Sequence, residues 1–337
     1  MNTFNANEIL SAAPDMVALA FGNKANKPHP LASEISLKNI AYVMGEKVRA
    51  RQSYENDMTV MARGMGTNDF AKLLADGAQQ ATIAAFEGQA DYSAFTSVID
   101  VKDFQPSEIP AMDNDLSLQP LGELAEIQRG FAFAATGGAT VSLTTYARAV
   151  SISRQLIFND QIGALTTIFK TIGTNGARLE ARLVAEALEA NANLDDGQPV
   201  FAAEFGNLLA SDLATGLGAG IAALRTQLTS AGERADLRAR HLVVEPVLEY
   251  TARNLVLNSG LDVTVTTLAN LPTGRWFLMA DPKVCPTVCT LRLNGAKTPV
   301  RVEQKRRDFG FDGAQVKVTA DVGAALLRRV GIVRGGA

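Results

Sequence analysis

The feature that constrains this chain most is a strand-patterned stretch that departs on a long excursion and comes back. Residues 94–104, AFTSVIDVKDF, alternate apolar and polar side chains, and so do residues 144–157, TTYARAVSISRQLI. In the second stretch Val150 and Ile152 share one face while Ser151 and Ser153 share the other, the period of a half-covered strand. Between the two runs QPSEIPAMDNDLSLQPLGELAEIQRGFAFAATGGAT, which is acidic, punctuated by Pro and Gly, and poorly patterned. So long an excursion is unusual inside a compact domain, and a two-stranded ribbon standing off a domain is at best marginal by itself. Such a ribbon needs neighbours to cover it, and other copies of the chain can supply them.

The charge pattern bears on the same question. A formal charge of −3 gives no global reason to expect nucleic-acid or anionic-membrane binding. Locally the balance is uneven. Between Asp91 and Thr136 eight acids (Asp91, Asp100, Asp103, Glu108, Asp113, Asp115, Glu123, Glu126) face only Lys102 and Arg129, whereas from Arg301 onward eight bases face four acids. The plain account is two solvated faces. The sharper one is an acidic segment of one subunit docking on basic surface of its neighbour, where complementarity sets register.

The remaining pattern is α+β. After Asp160 the apolar period becomes 3.6, through Ile162, Leu165, Ile168, Ile172, Leu179, Leu183, Ala187 and Leu188. This predicts a long helix over about 160–193, or two abutting helices, because Gly173 and Gly176 each cost about 1 kcal/mol relative to Ala in a helix interior. Thr67 or Asn68 can cap a helix reaching about Phe86, with Phe70, Leu73, Leu74, Ala78, Ala81 and Ala85 as its apolar stripe. The first 66 residues read as a polar arm that packs on something else, with one helical period in SLKNIAYVMGEKVRA. HLVVEPVLEYTARNLVLN reads as a buried strand entering a helix, with Pro246 in the first turn where its missing N–H does no harm. Four β-type runs follow, with Asn294-Gly295 and Asp312-Gly313 as hairpin turn signals.

Chemistry is hard to find. The start has no basic region followed by a long apolar core, and no run of about 18 apolar residues occurs anywhere, so the chain reads as soluble and unexported, with no membrane partner. The serines of SISR lack a G-x-S-x-G elbow, and the two histidines are His29 in a Pro-flanked loop and His241 at a strand start. Gly216 to Gly220, GLGAG, has the wrong spacing for a dinucleotide loop and reads as a flexible helix start after the helical-looking NLLASDLAT. DND at Asp113 to Asp115 lacks the glycine and final glutamate of a calcium loop. Cys285 and Cys289 have neither C-x-x-C spacing nor nearby histidines, and read as inert reduced thiols. Arg178, Arg182, Glu186 and Glu189 read as the solvated face of the long helix, with an i,i+4 pair between Arg182 and Glu186. KRRDF from Lys305 could touch DNA only without sequence specificity. No catalytic residue, cofactor or metal ligand is expected.

The order of elements resembles a major capsid protein of tailed bacteriophages with the Hong Kong 97 (HK-97) fold. The ending resembles Mu-like major head subunits, through Trp276, Asp281-Pro282, Leu293-Asn294-Gly295, Pro299, Phe311-Asp312-Gly313, Lys317-Val318, Asp321 and Gly323. TNDFAKLLADGAQQATIAAFE and TTYARAVSISRQLIFNDQIGAL resemble family segments too, and SLKNIAYVMGEKVRA resembles the region before the capsid domain in fusions to a prohead protease. Where relatives tend to end in Trp-Arg-Gly, this chain has Arg329-Val330-Gly331. The resemblance implies an N-terminal arm (1–66), an arm helix and first strand (67–103) and an E-loop (104–140). It further implies a P-domain (141–240) with the spine helix, an A-domain (241–305) and C-terminal strands (306–337) returning to the P-domain.

The E-loop would lie across a neighbouring subunit, placing Asp113, Asp115, Glu123, Glu126 and Arg129 at an intersubunit contact. Arg148, Arg154, Arg178, Arg182, Lys305, Arg306 and Arg307 are the candidate basic contacts. No lysine occurs from Asp103 to Phe169, so no lysine-based cross-link is expected in this loop. The implied partners are further copies in hexamers and pentamers, packaged double-stranded DNA, and a portal, a scaffold or a separate maturation protease. An encapsulin-like compartment and a soluble α+β enzyme are the rival readings.

Overall fold

The computed structural model describes residues 5–22, 27–109, 138–153, 155, 162–229, 232–304 and 313–336. Its helices are α1 (Ala6–Ala20), α2 (Leu37–Val48), α3 (Asp57–Met65), α4 (Asn68–Glu87), α5 (Ile162–Ala190), α6 (Leu213–Thr226) and α7 (Glu249–Ser259). Its strands are β1 (Ser97–Val101), β2 (Ser107–Ile109), β3 (Ala139–Val141), β4 (Thr144–Ser153), β5 (Leu208–Leu209), β6 (Ala239–Val244), β7 (Thr264–Thr267), β8 (Trp276–Ala280), β9 (Val288–Leu293), β10 (Val300–Gln304), β11 (Gly313–Val322), β12 (Ala324–Leu326) and β13 (Ile332–Gly335). The chain is α+β, and it divides into two compact units: Met1–Gln89 with Thr145–Ala177 and Thr298–Asp321, and Ala90–Thr144 with Arg178–Lys297 and Val322–Ala337.

In the first unit every early helix begins on a side chain that accepts an orphan backbone N–H: Asn5 with the reciprocal Glu8, then Ser36, Asn56 and Thr67. The first 66 residues, expected as an arm that packs on something else, bury apolar side chains in this unit. Ile9, Ala12, Ala13, Met16 and Val17 of α1 are buried, as are Leu37, Ile40, Ala41 and Val43 of α2. Phe21, just past α1, meets Phe169 edge to face with centroids 5.8 Å apart. Pro14 inside α1 and the polar residues between these apolar ones hide the period from a sequence reading.

α5 is one helix rather than two. A Cβ at Gly173 would lie 2.2 Å from the Thr82 carbonyl oxygen, and one at Gly176 would lie 2.7 Å from Val300. The two glycines let α5 approach α4 and β10 closely, which offsets their poor helix propensity. The sheet of this unit runs β10-β11-β4. β10 and β11 are antiparallel, Val300 opposite Ala320 and Gln304 opposite Val316. Gln79 of α4 lies along β10: its Nε2 donates to the Val300 carbonyl at 3.1 Å and its Oε1 accepts from the Val302 N–H at 2.5 Å. A side-chain amide thus makes the two bonds a neighbouring strand would make.

The second unit is built on a five-stranded sheet in the order β5-β13-β8-β6-β7. All of β8 is buried, as a central strand covered on both faces requires. Trp276, Leu278, Leu242, Val244, Val333, Leu213, Leu217, Leu224 and Ala252 form its core. The glycine-rich stretch expected to start a helix lies inside α6 instead, and the residues before it include β5 rather than a helix. A Cβ at Gly216 or Gly220 would press on the Trp276 ring at 2.8 Å and 3.2 Å, so bareness there serves packing.

A second sheet, β1-β9-β12, pairs β1 parallel and β12 antiparallel with β9, and β2 pairs antiparallel with β3 at the base of the expected excursion. As expected, Pro246 stands in the first turn of a short 3₁₀ segment leading into α7.

One strand expectation changes. Asn294 and Gly295 do make a left-handed turn, with φ of 50° and 70°, but it joins two different sheets, so no hairpin follows. Of the other turn signal, Gly313 begins β11 and Asp312 lies outside the described residues. β13 pairs with β8 and β5, with Ile332 and Val333 fully buried in that sheet.

Candidate functional site

The charged side chains sort into two sets, those spent inside the fold and those left on its surface. In the second unit the Glu180 carboxylate is fully buried, with Arg292 on it through both terminal nitrogens, Nη2 at 3.2 Å, and with the Tyr92 hydroxyl donating at 2.6 Å. Burial, and then the nearby carboxylate, push the Tyr92 hydroxyl far above its ordinary range, so it stays protonated and donates to Glu180. The helix α5 places Glu180 on the same stripe as the buried Ala177, Val184 and Leu188. A single acid on an apolar stripe was the sequence signal for this cluster, and the reading above passed over it.

Glu189 was expected on the solvated face. It instead holds Arg275 at 2.9 Å and Arg334 at 3.0 Å, and Arg334 also stands over the Phe201 ring at 5.7 Å. The sequence could not show this, because the partners lie on strands distant in the chain. Arg329 grips Asp196 at 2.5 and 2.7 Å and stacks 4.5 Å from the Phe205 centroid, and this pairing draws the Asp196 carboxyl down to about 2. In the first unit Arg301 bonds Asp321, which also accepts from Thr145 at 2.7 Å, and Lys317 stands 4.0 Å from Glu303. Of the tail's described bases, Arg301, Lys317, Arg329 and Arg334 are therefore paired within their own units, and Arg328 is not.

The expected pair of Arg182 with Glu186 forms at 3.4 Å on the exposed face of α5, and Arg178 is exposed beside it. Arg148 is exposed on β4. Asp113, Asp115, Glu123, Glu126, Arg129, Arg154, Lys305, Arg306 and Arg307 lie outside the described residues. His29 caps a short turn through Nδ1, which accepts from Leu31, and His241 sits at the start of β6. Ser151, exposed on β4, receives a bond from Gln315 at 3.4 Å. Cys285 and Cys289 are both buried, and burial pushes the Cys289 thiol up to about 12. Among the described residues no cluster of His, Cys, Asp or Glu has the makings of a metal site, and no helix is long and apolar enough to cross a membrane.

What remains conspicuous is bare apolar surface. Val247, Tyr250 and Leu257 are 74%, 78% and 79% exposed along the outer side of α7 and its entry, and Val284 is also open. The first three share α7 and its entry with the exposed ion pair of Arg253 and Glu249, and apolar residues this open are surface that a partner could cover.

The arrangement is an α+β chain with apolar side chains left open on its second unit. The model for "Phage capsid protein" matches residues 138–335, and the chain belongs to that family. No curated protein matches the sequence. Several solved structures are similar in outline. A virus-like particle from Pyrococcus furiosus is 9% identical with a TM-score of 0.49, covering 77% of this chain and 97% of its own. The procapsid protein of bacteriophage JBD30 is 15% identical with a TM-score of 0.44, covering 80% and 76%. The SrpI encapsulin from Synechococcus elongatus PCC 7942 is 12% identical with a TM-score of 0.44, covering 73% and 86%. At these scores nothing further is drawn from the likeness, and membership rests on the family match.

Proposed function

We propose that this phage capsid protein is the major head subunit of a tailed bacteriophage, of the Mu-like kind with an HK-97-like fold, which self-assembles through hexamers and pentamers into an icosahedral shell around double-stranded DNA. The observation that carries the reading is the family match over residues 138–335. The bare apolar side of α7 supports it, because a subunit designed to be covered leaves such surface open. The chain acts by packing rather than by catalysis. It is assembled in the host cytoplasm and resides in the virion.

In this reading residues 104–140 form the E-loop and lie on a neighbour, with Asp113, Asp115, Glu123, Glu126 and Arg129 at that contact. Arg148, Arg154, Arg178, Arg182, Lys305, Arg306 and Arg307 supply basic contacts to neighbouring copies or, without sequence specificity, to packaged DNA. A portal, a scaffold or a separate maturation protease completes the set of partners.

Negative-stain electron microscopy with light scattering on the purified chain tests the proposal. Closed shells, or rings of five and six, are expected. Their loss at high salt would assign a share of the contact to the charged surfaces. A monodisperse monomer at every condition, including coexpression with neighbouring phage genes, would overturn the reading. Shells that copurify with a protein cargo and no nucleic acid would favour an encapsulin-like compartment instead.

A further inference from the structure

The strand edges of the two units are unequal, and the inequality points to a particular contact. The sheet β10-β11-β4 ends on β10 at one side and β4 at the other. The β10 edge is already occupied at Val300 and Val302 by the Gln79 amide. The β4 edge has no such guard among the described residues, and its side chains are unusually open for a ten-residue strand: Thr144, Thr145, Ala147, Arg148, Ala149 and Ser151 are exposed. A long strand with an open edge invites another strand, and proteins that do not want this cover or blunt the edge. Here one edge of the sheet is covered and the other is left.

A matching edge exists on the other unit. β1 is the end strand of β1-β9-β12, and its exposed residues Val98 and Asp100 share one face. On β4, Arg148 lies between the half-buried Tyr146 and Val150 on one face. Neither Arg148 nor Asp100 has an ion-pair partner among the described residues. Set edge to edge with Arg148 opposite Asp100, the strands oppose a cation to an anion and bring Val98 against Val150 or Tyr146, whichever direction they run.

We infer that β4 of one copy accepts β1 of a second copy as an added strand, with Arg148 facing Asp100. The contact rests on the capsid reading and deepens it. The two surfaces are different, so the contact is head to tail, and a head-to-tail contact closes into a ring when its rotation permits. Main-chain hydrogen bonds supply the attraction and the charge pair fixes the register.

Charge reversal tests this, because Arg148 and Asp100 are both exposed and their replacement leaves each unit folded. Arg148→Asp and Asp100→Arg are each expected to lower the assembled fraction about tenfold at fixed protein and salt concentration through like-charge contact. The double variant is expected to recover assembly, and a mixture of the two single variants to recover rings of six, in which the copies can alternate, while thermal melting stays at the wild-type value throughout. A wild type that assembles alongside single variants that assemble equally well would overturn the inference alone, as would a double variant that fails to recover. A wild type that never assembles, even with its coexpressed neighbours, would overturn the capsid reading and this contact with it.

Proline substitution gives a second readout. Successive N–H groups of a strand point to opposite sides. Of Ala147→Pro and Arg148→Pro, one should therefore lower the melting temperature by breaking the bond to β11, and the other should abolish assembly with melting unchanged. If both behaved alike, β4 would have no acceptor edge.

Discussion

Arg292→Met should destabilise the second unit by about 3–5 kcal/mol, because it leaves the fully buried Glu180 carboxylate without its counter-charge. Denaturant unfolding checks this, and a Glu180→Gln/Arg292→Met double variant should regain part of the loss. Two groups make stability depend on pH, with definite signs. Arg329 draws the Asp196 carboxyl down to about 2 in the folded chain. Its stabilisation is complete above the ordinary aspartate value of about 4 and is lost as pH falls from there toward about 2. Asp196→Asn should remove that part of the acid limb in melts recorded against wild type.

Burial lowers the His241 pKa, with Arg240 adding to the effect and Asp281 opposing it. The unfolded chain then binds the proton more readily, so stability is full above about pH 6.5 and declines below it. His241→Gln should flatten that decline. At this scale the sequence was legible only where partners were near in the chain, as with Arg182 and Glu186. Glu189 misled because its arginines arrive from β13 and the edge of β8, which no helical period can reveal.

Elements are where the sequence spoke most clearly. The Thr67 cap, the helix behind it, the long helix after Asp160 and the strand entering at His241 all carried their period and punctuation openly. Glycine was misread in both long helices, since propensity alone treats it as a defect while close approach to Thr82 or Trp276 makes it a requirement. Gly173→Ala settles which term wins. The substitution gains about 1 kcal/mol of helix propensity, but the new methyl would stand 2.2 Å from a backbone oxygen, and overpacking of that kind costs about 1–3 kcal/mol. The melting temperature should fall; a rise would mean that α4 and α5 are less tightly joined than the close approach at Gly173 implies. Turn signals failed for a different reason. Asn294-Gly295 fixes the local geometry correctly, but which strands then pair is decided by burial of β9 between β1 and β12, a long-range matter.

For the molecule as a whole, the N-terminal helices matter more than a detachable arm would. Removing residues 1–66 would strip α1, α2 and α3 from the first unit and bare Phe169. The shortened chain should be insoluble or bind a hydrophobic dye strongly, whereas a true arm would leave a cooperative melt behind. The same scale settles the meaning of the basic tail. Of its described bases, Arg301, Lys317, Arg329 and Arg334 are each paired with an acid of their own unit, and Arg328 is left without one among the described residues. On the capsid reading, cations committed in this way serve the wall rather than its contents, and a hold on the genome falls to the bases outside these pairs.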